Sequence, residues 1–105
     1  MKNIGEKKLD ALIEEATVDC YSDDEAAMGL FTMLQDNLVV PFTAKVLGMP
    51  VKVTAVELND AEEAVAVCER DGKRQRVPIA DLPLPKPPPK GVEWVEAYRY
   101  WRSGR

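Results

Sequence analysis

The sequence predicts an α+β domain: two N-terminal helices, a four-stranded antiparallel meander forming a bent sheet or partly open barrel, a proline-rich connector and a C-terminal helix. Three observations predict it. Apolar residues recur at helical spacing up to Leu38, the period shortens to two from Phe42, and a helical aromatic stripe returns after the prolines of Leu82–Lys90. At 105 residues, 46% of them hydrophobic, residues 1–105 have the length and composition of one domain with one modest core.

The first helix is expected from about Gly5 to Ala16, because Leu9, Leu12, Ile13 and Ala16 fall on one helical face and leave Asp10, Glu14 and Glu15 pointing away. The second starts sharply at Ser22. Its hydroxyl can cap the first turn, and Glu25 three residues later completes a capping box. Ala27, Leu30, Phe31, Leu34 and Leu38 form its buried stripe, and it stops near Asp36–Asn37 because Pro41 prevents continuation.

Phe42–Leu47 and Val51–Leu58 read as strands joined by a turn at Gly48-Met49-Pro50, and Ala64–Arg70 and Arg74–Ala80 flank Asp71-Gly72-Lys73. Asp-Gly accepts positive φ, so that turn is a strong hairpin signal. Pro78 cannot donate to a ladder, which places the fourth strand at an edge or ends it there. Pro83, Pro85, Pro87, Pro88 and Pro89 predict an extended polyproline II connector, read as structural rather than as a ligand for an aromatic-grooved domain. Beyond Gly91, Trp94, Val95, Tyr98 and Trp101 share one helical face and read as core.

Charge carries the functional signal. From Leu9 to Ala44 there is no lysine, arginine or histidine, while Asp10, Glu14, Glu15, Asp19, Asp23, Asp24, Glu25 and Asp36 lie inside that window. Carboxylates without nearby cations in the chain must find solvent, distant bases or a metal ion. An oxygen-rich, nitrogen-free set fits Ca²⁺, which takes several oxygen ligands in irregular geometry. Over the whole chain, residues 1–63 carry thirteen acids against five lysines, and the remainder five acids against nine bases. Such a split gives either two binding faces or two halves that neutralise each other on folding.

The acids are not equivalent. Asp23, Asp24 and Glu25 in the first turn of the second helix complement its dipole without any metal. Asp36 sits at the opposite end, where exposed carbonyls disfavour a carboxylate and a cation would reverse the penalty. Asp19 lies in the inter-helix turn between Val18 and Cys20, where a carboxylate among apolar neighbours wants a compensating charge; a capping or turn hydrogen bond is the structural alternative. Asp36, Asp19, Asp23, Asp24 and Glu15 form the candidate metal-ligand set. An EF-hand started at Asp19 would put Asp24 at the glycine position and Leu30 at the bidentate glutamate, so a calcium site must be assembled from separate segments.

Other chemistry is disfavoured. There is no histidine, no Gly-x-Ser-x-Gly elbow, no phosphate loop and no dinucleotide glycine pattern, so no enzyme is expected. Cys20 and Cys68 are too few for a disulfide framework and read as two buried, reduced thiols. Scattered bases beside a large acidic half argue against nucleic acid. No apolar run approaches the roughly 18 residues of a spanning helix, and Met1–Asp10 lacks the pattern of a secretory leader, so the expectation is a cytoplasmic protein without a membrane partner.

The strings Glu14-Glu15-Ala16-Thr17-Val18-Asp19-Cys20-Tyr21, Gly29-Leu30-Phe31-Thr32-Met33-Leu34-Gln35-Asp36-Asn37-Leu38 and Pro41-Phe42 resemble the small non-EF-hand calcium-binding family first described in cyanobacteria. The resemblance continues through Val46-Leu47-Gly48, Arg74-Gln75-Arg76-Val77-Pro78-Ile79 and Asp81-Leu82-Pro83-Leu84-Pro85 to Glu93-Trp94-Val95-Glu96-Ala97-Tyr98-Arg99-Tyr100-Trp101. It covers roughly residues 13–101. It implies a compact α/β protein that buffers or senses cytosolic Ca²⁺, with Asp36 and Asp19 as the matched positions for ligands. The alternatives are a protein-interaction module with a small barrel-like sheet and no specific metal binding, or a regulatory subunit whose basic C-terminal region docks an acidic partner.

Overall fold

A computed structural model describes residues 5–104. Residues 1–4, part of the stretch read above for a leader, and Arg105 lie outside them. The order is α1 (Glu6–Ala16), α2 (Asp23–Asn37), β1 (Phe42–Val46), β2 (Met49–Leu58), β3 (Ala64–Arg70), β4 (Lys73–Pro78), a 3₁₀ turn at Ile79–Asp81, and α3 (Val92–Arg102). The strands form one open antiparallel sheet in the order β1-β2-β3-β4, the expected meander, with β4 and its Pro78 at an edge.

The α2 stripe is buried as its spacing requires: Ala27, Leu30, Phe31, Leu34 and Leu38 all lie in the interior. Each fully buried leucine stabilises the fold by roughly 1.5–3 kcal/mol relative to an exposed one. Gly29 lets α1 and α2 approach closely, since a Cβ there would fall 2.3 Å from the Ala16 carbonyl oxygen. The helices share a core with Ala44, Val53, Val56, Ala64, Ala66 and Cys68 of the sheet. A bulge between Val53 and Ala55 inserts Thr54 into β2, so Val53 and Val56, three residues apart, both reach this face. On the other face Arg76 Nε meets Glu57 Oε1 at 3.0 Å, bridging β4 to β2 over the strand that carries Val65 and Val67.

Both outer hairpins turn through two residues with positive φ, which matches the twist of the flanking strands. Asp71 and Gly72 (φ 54° and 77°) do so as expected. The first hairpin turns one residue earlier than its sequence suggests: Leu47 and Gly48 (φ 52° and 76°) form the turn, and Met49 and Pro50 already belong to β2, paired with Val46 and Lys45. β4 stops at Pro78 rather than Ala80, where the chain bends into the 3₁₀ turn.

Residues 82–90 contain no helix or strand, and Leu82 is buried. The Val39 amide donates to the Lys90 carbonyl at 2.9 Å, and Gly91, at φ 89°, packs against the end of α2, where a Cβ would lie 2.1 Å from the Asn37 carbonyl oxygen. The segment is thus a connector fastened to α2. Arg99 of α3 secures its start, donating from Nε to the Ile79 carbonyl at 3.1 Å and from Nη2 to the Leu82 carbonyl. Burial pushes the Arg99 guanidinium below its ordinary pKa, and the charges of Glu96 and Asp81 oppose that shift. Trp94, Val95 and Tyr98 are core, and the buried Tyr98 Oη accepts the Ala64 amide hydrogen at 3.0 Å, tying α3 to β3.

Two expectations are corrected. Trp101, at the last turn of α3, is only half-buried. Cys68 is buried, but Cys20 is half-buried because it lies in the α1–α2 turn ahead of the helix, where its Sγ donates to the Glu25 carbonyl at 3.3 Å. Both thiols are free.

Candidate metal centre

The acidic turn begins where α1 ends. Thr17 stops that helix by donating both its amide (3.0 Å) and its hydroxyl (2.7 Å) to the Ile13 carbonyl, and the Cys20 amide then closes onto Thr17 O at 3.0 Å. Ser22 caps α2 as expected, its hydroxyl accepting from the Glu25 amide at 3.2 Å. The return arm of the box shifts by one residue: Glu25 Oε1 accepts the Tyr21 amide at 2.6 Å. One carboxylate oxygen of Glu25 therefore serves the turn, and the other stays available.

A second segment reaches the same place from the far side of the sequence. Between β2 and β3, Asn59 Oδ1 accepts the Ala61 and Glu63 amides, each at 2.9 Å, and its carbonyl accepts the Glu62 amide at 2.9 Å. This side-chain turn places Glu62 in the left-handed region at φ 61°. Glu63 turns the other way, toward Arg102 Nη2 at 2.8 Å.

Asp19, Asp24, Glu25 and Glu62 line one open cleft of about 610 Å³, together with Cys20 and Met28. No lysine or arginine among the described residues lines it. Four like charges around one cavity repel each other, and a divalent cation between them would turn that repulsion into attraction. The donors are carboxylate oxygens, the chemistry Ca²⁺ prefers, and an open surface cleft admits the waters that complete an irregular shell. Among the described residues, no three Asp, Glu or Cys side chains stand close enough to hold a metal as they are placed.

The expected ligands do not all meet. Asp19 and Asp24 do, in the cleft. Asp19 is exposed, and Val18 beside it is 77% exposed, so water surrounds this carboxylate rather than the apolar neighbours expected from sequence. Asp23, one residue around the helix, faces a different groove lined by Trp101 and Arg102. Asp36 lies twelve residues beyond Asp24 on α2, about 18 Å away at 1.5 Å per residue. It borders a separate groove with Gln35 and Thr54, while Asn37 Nδ2 closes the helix end by donating to Met33 O at 2.8 Å. Glu15 is exposed on α1. Glu62 and Glu25 are the cleft members that sequence reasoning did not place among the ligands. Asn59 followed by four short or acidic residues signals a tight turn, but nothing local says what that turn faces.

Comparison with known proteins agrees with this chemistry. A family model described as calcium binding matches residues 10–102. The crystal structure of CcbP from Anabaena shares the fold with a TM-score of 0.78 at 19% identity, over 98% of this chain and 96% of that one. A calcium binding protein solved in its calcium-binding form gives 0.72 at 19% identity, over 94% and 92%. No curated relative matches the sequence. With the family model spanning nearly all of its length, the chain belongs to the CcbP calcium-binding family.

Proposed function

We propose that this protein binds Ca²⁺ in the cleft of Asp19, Asp24, Glu25 and Glu62 and acts as a cytoplasmic Ca²⁺ buffer or sensor without catalytic activity. The observation that carries this reading is the convergence of carboxylates from the α1–α2 turn, the start of α2 and the β2–β3 turn on one cleft that no base among the described residues lines. Family membership and the solved calcium-binding form of a protein with the same fold support it. On binding, the exposed side chains of Asp19 and Asp24 turn inward to supply oxygen ligands, Glu62 closes in from the sheet side, and Glu25 contributes the oxygen its cap leaves free. Asp23 and Glu15 act at longer range, as negative charge that favours a cation near this end. Asp36 offers a separate position at the C-terminal end of α2, where Gln35 and Thr54 add neutral oxygens.

Thermal unfolding of chelator-treated protein tests the reading. A ligand that binds only the folded state adds about 2.7 kcal/mol of stability at a hundred times its Kd. Millimolar Ca²⁺ raises the melting temperature, and equal millimolar Mg²⁺ raises it less, because Mg²⁺ demands a tighter octahedral shell. An equal response to both ions would reduce the effect to screening of the acidic end. A Ca²⁺-dependent change in Trp101 emission would favour the sensor over the buffer.

A further inference from the structure

The two ends of the sheet differ in charge, although Arg102 stands beside Asp23 and Glu63 at the acidic one. β2 spans ten residues, roughly 30 Å of extended chain, and the β2–β3 turn with Glu62 lies at its far end from the two outer hairpins. At the outer-hairpin end the sheet opens into a cleft of about 600 Å³. Val46, Val51, Cys68 and Val77 line it with apolar surface, while Arg70, Lys73 and Arg74 stand around it against a single acid, Asp71. Leu47 and Met49, also in its lining, are 97% and 46% exposed. Arg70 and Arg74 have carboxylate neighbours at 3.6 and 3.2 Å, Asp71 and Glu69, but these pairs are exposed and hold their charges only weakly.

The opposite end carries the complementary chemistry. Tyr21 is 93% exposed, and Asp19, Asp23 and Asp24, within three residues of it, are exposed as well. An aromatic side chain set among carboxylates is what an apolar cleft with a basic rim accepts. We infer that copies of this chain associate head to tail, the Tyr21 turn of one seated in the hairpin-end cleft of the next. The two surfaces differ, so the contact is heterologous and adds copies in a row rather than closing a symmetric pair. Charge brings the ends together, and burial of Tyr21 against Leu47 and Met49 holds them.

Sedimentation velocity in chelator tests this independently of any Ca²⁺ reading. At about 0.01 M salt, where charges act over roughly 30 Å, the weight-average coefficient of the native chain rises with concentration; at about 1 M salt it falls to the monomer value. The double variants Leu47→Asp with Lys73→Glu, and Asp19→Lys with Tyr21→Ser, each change one end at exposed positions, and circular dichroism checks their folding. Each alone stays monomeric. Mixed in equal amounts, they retain one intact surface of each kind and form a 1:1 heterodimer that does not grow. A native chain monomeric at every salt concentration, or a mixture that gives no heterodimer, overturns the proposal. Binding of the hairpin-end cleft to anionic vesicles with no self-association would do so as well.

Discussion

Glu25 Oε1 accepts the backbone hydrogen of Tyr21 at 2.6 Å, and the Glu25 amide donates to Ser22 Oγ at 3.2 Å. One glutamate thus fixes the start of α2 and the edge of the acidic cleft together. Ser22→Ala removes the hydroxyl acceptor and lowers stability by about 1 kcal/mol, a fall of roughly 4–8 °C in Tm for a domain of this size. Glu25→Gln keeps an oxygen for the Tyr21 amide and costs less stability, yet weakens Ca²⁺ binding. Melting curves and Ca²⁺ titrations of the two variants separate capping from charge.

Gly29→Ala sets two effects against each other. Alanine improves helix propensity by about 1 kcal/mol, but its Cβ would stand 2.3 Å from Ala16 O, a backbone atom that a side-chain rotation cannot move. The clash forces α1 and α2 apart, and overpacking of this kind costs roughly 1–3 kcal/mol. Denaturant unfolding therefore finds a less stable variant. A stabilised one would show that the helices shift apart freely.

Tyr98→Phe keeps the ring in the core but leaves the buried Ala64 amide without its acceptor. The expected loss is about 1–3 kcal/mol, the cost of an unsatisfied buried donor. Chemical denaturation with an unchanged m-value would assign that loss to the missing bond.

Cys68 and Cys20 should separate by pH and by reactivity. Burial pushes the Cys68 thiol above its ordinary pKa. Its protonated form is favoured in the fold, so its contribution is complete below the unfolded thiol's pKa and declines as pH rises past roughly 8.5. The stability advantage of the native chain over Cys68→Ala accordingly narrows between neutral and alkaline pH. Thiol labelling of the native protein at neutral pH modifies Cys20 first and Cys68 last.

Helix identities, their buried faces, the Asp71-Gly72 hairpin and the meander were legible because each rests on local periodicity or turn chemistry. Pro50 looks like a turn residue and so shifts the expected first turn by one, yet it fits a strand position opposite Lys45. The Thr54 bulge leaves no local mark, since Val51, Val53 and Ala55 alternate as an unbroken strand would. The candidate site was half legible. The cation-free window marked Asp19 but set Asp36 beside it and explained Asp24 by the helix dipole, whereas Glu62 meets Asp19 and Asp24 only because the fold brings the β2–β3 turn to a segment some forty residues away, which no periodicity encodes.

If Ca²⁺ sits between the α1–α2 turn and the β2–β3 turn, Glu62→Gln weakens its binding. The substitution preserves size and one oxygen, lies at an exposed turn position, and removes a charge that is a direct ligand only if the two turns share the ion. Calorimetric titration of the metal-free variant with Ca²⁺ should show affinity reduced by at least about tenfold, on the order of 1.4 kcal/mol. Unchanged affinity in Glu62→Gln, accompanied by unchanged affinity in Asp24→Asn, would move the ion away from this cleft.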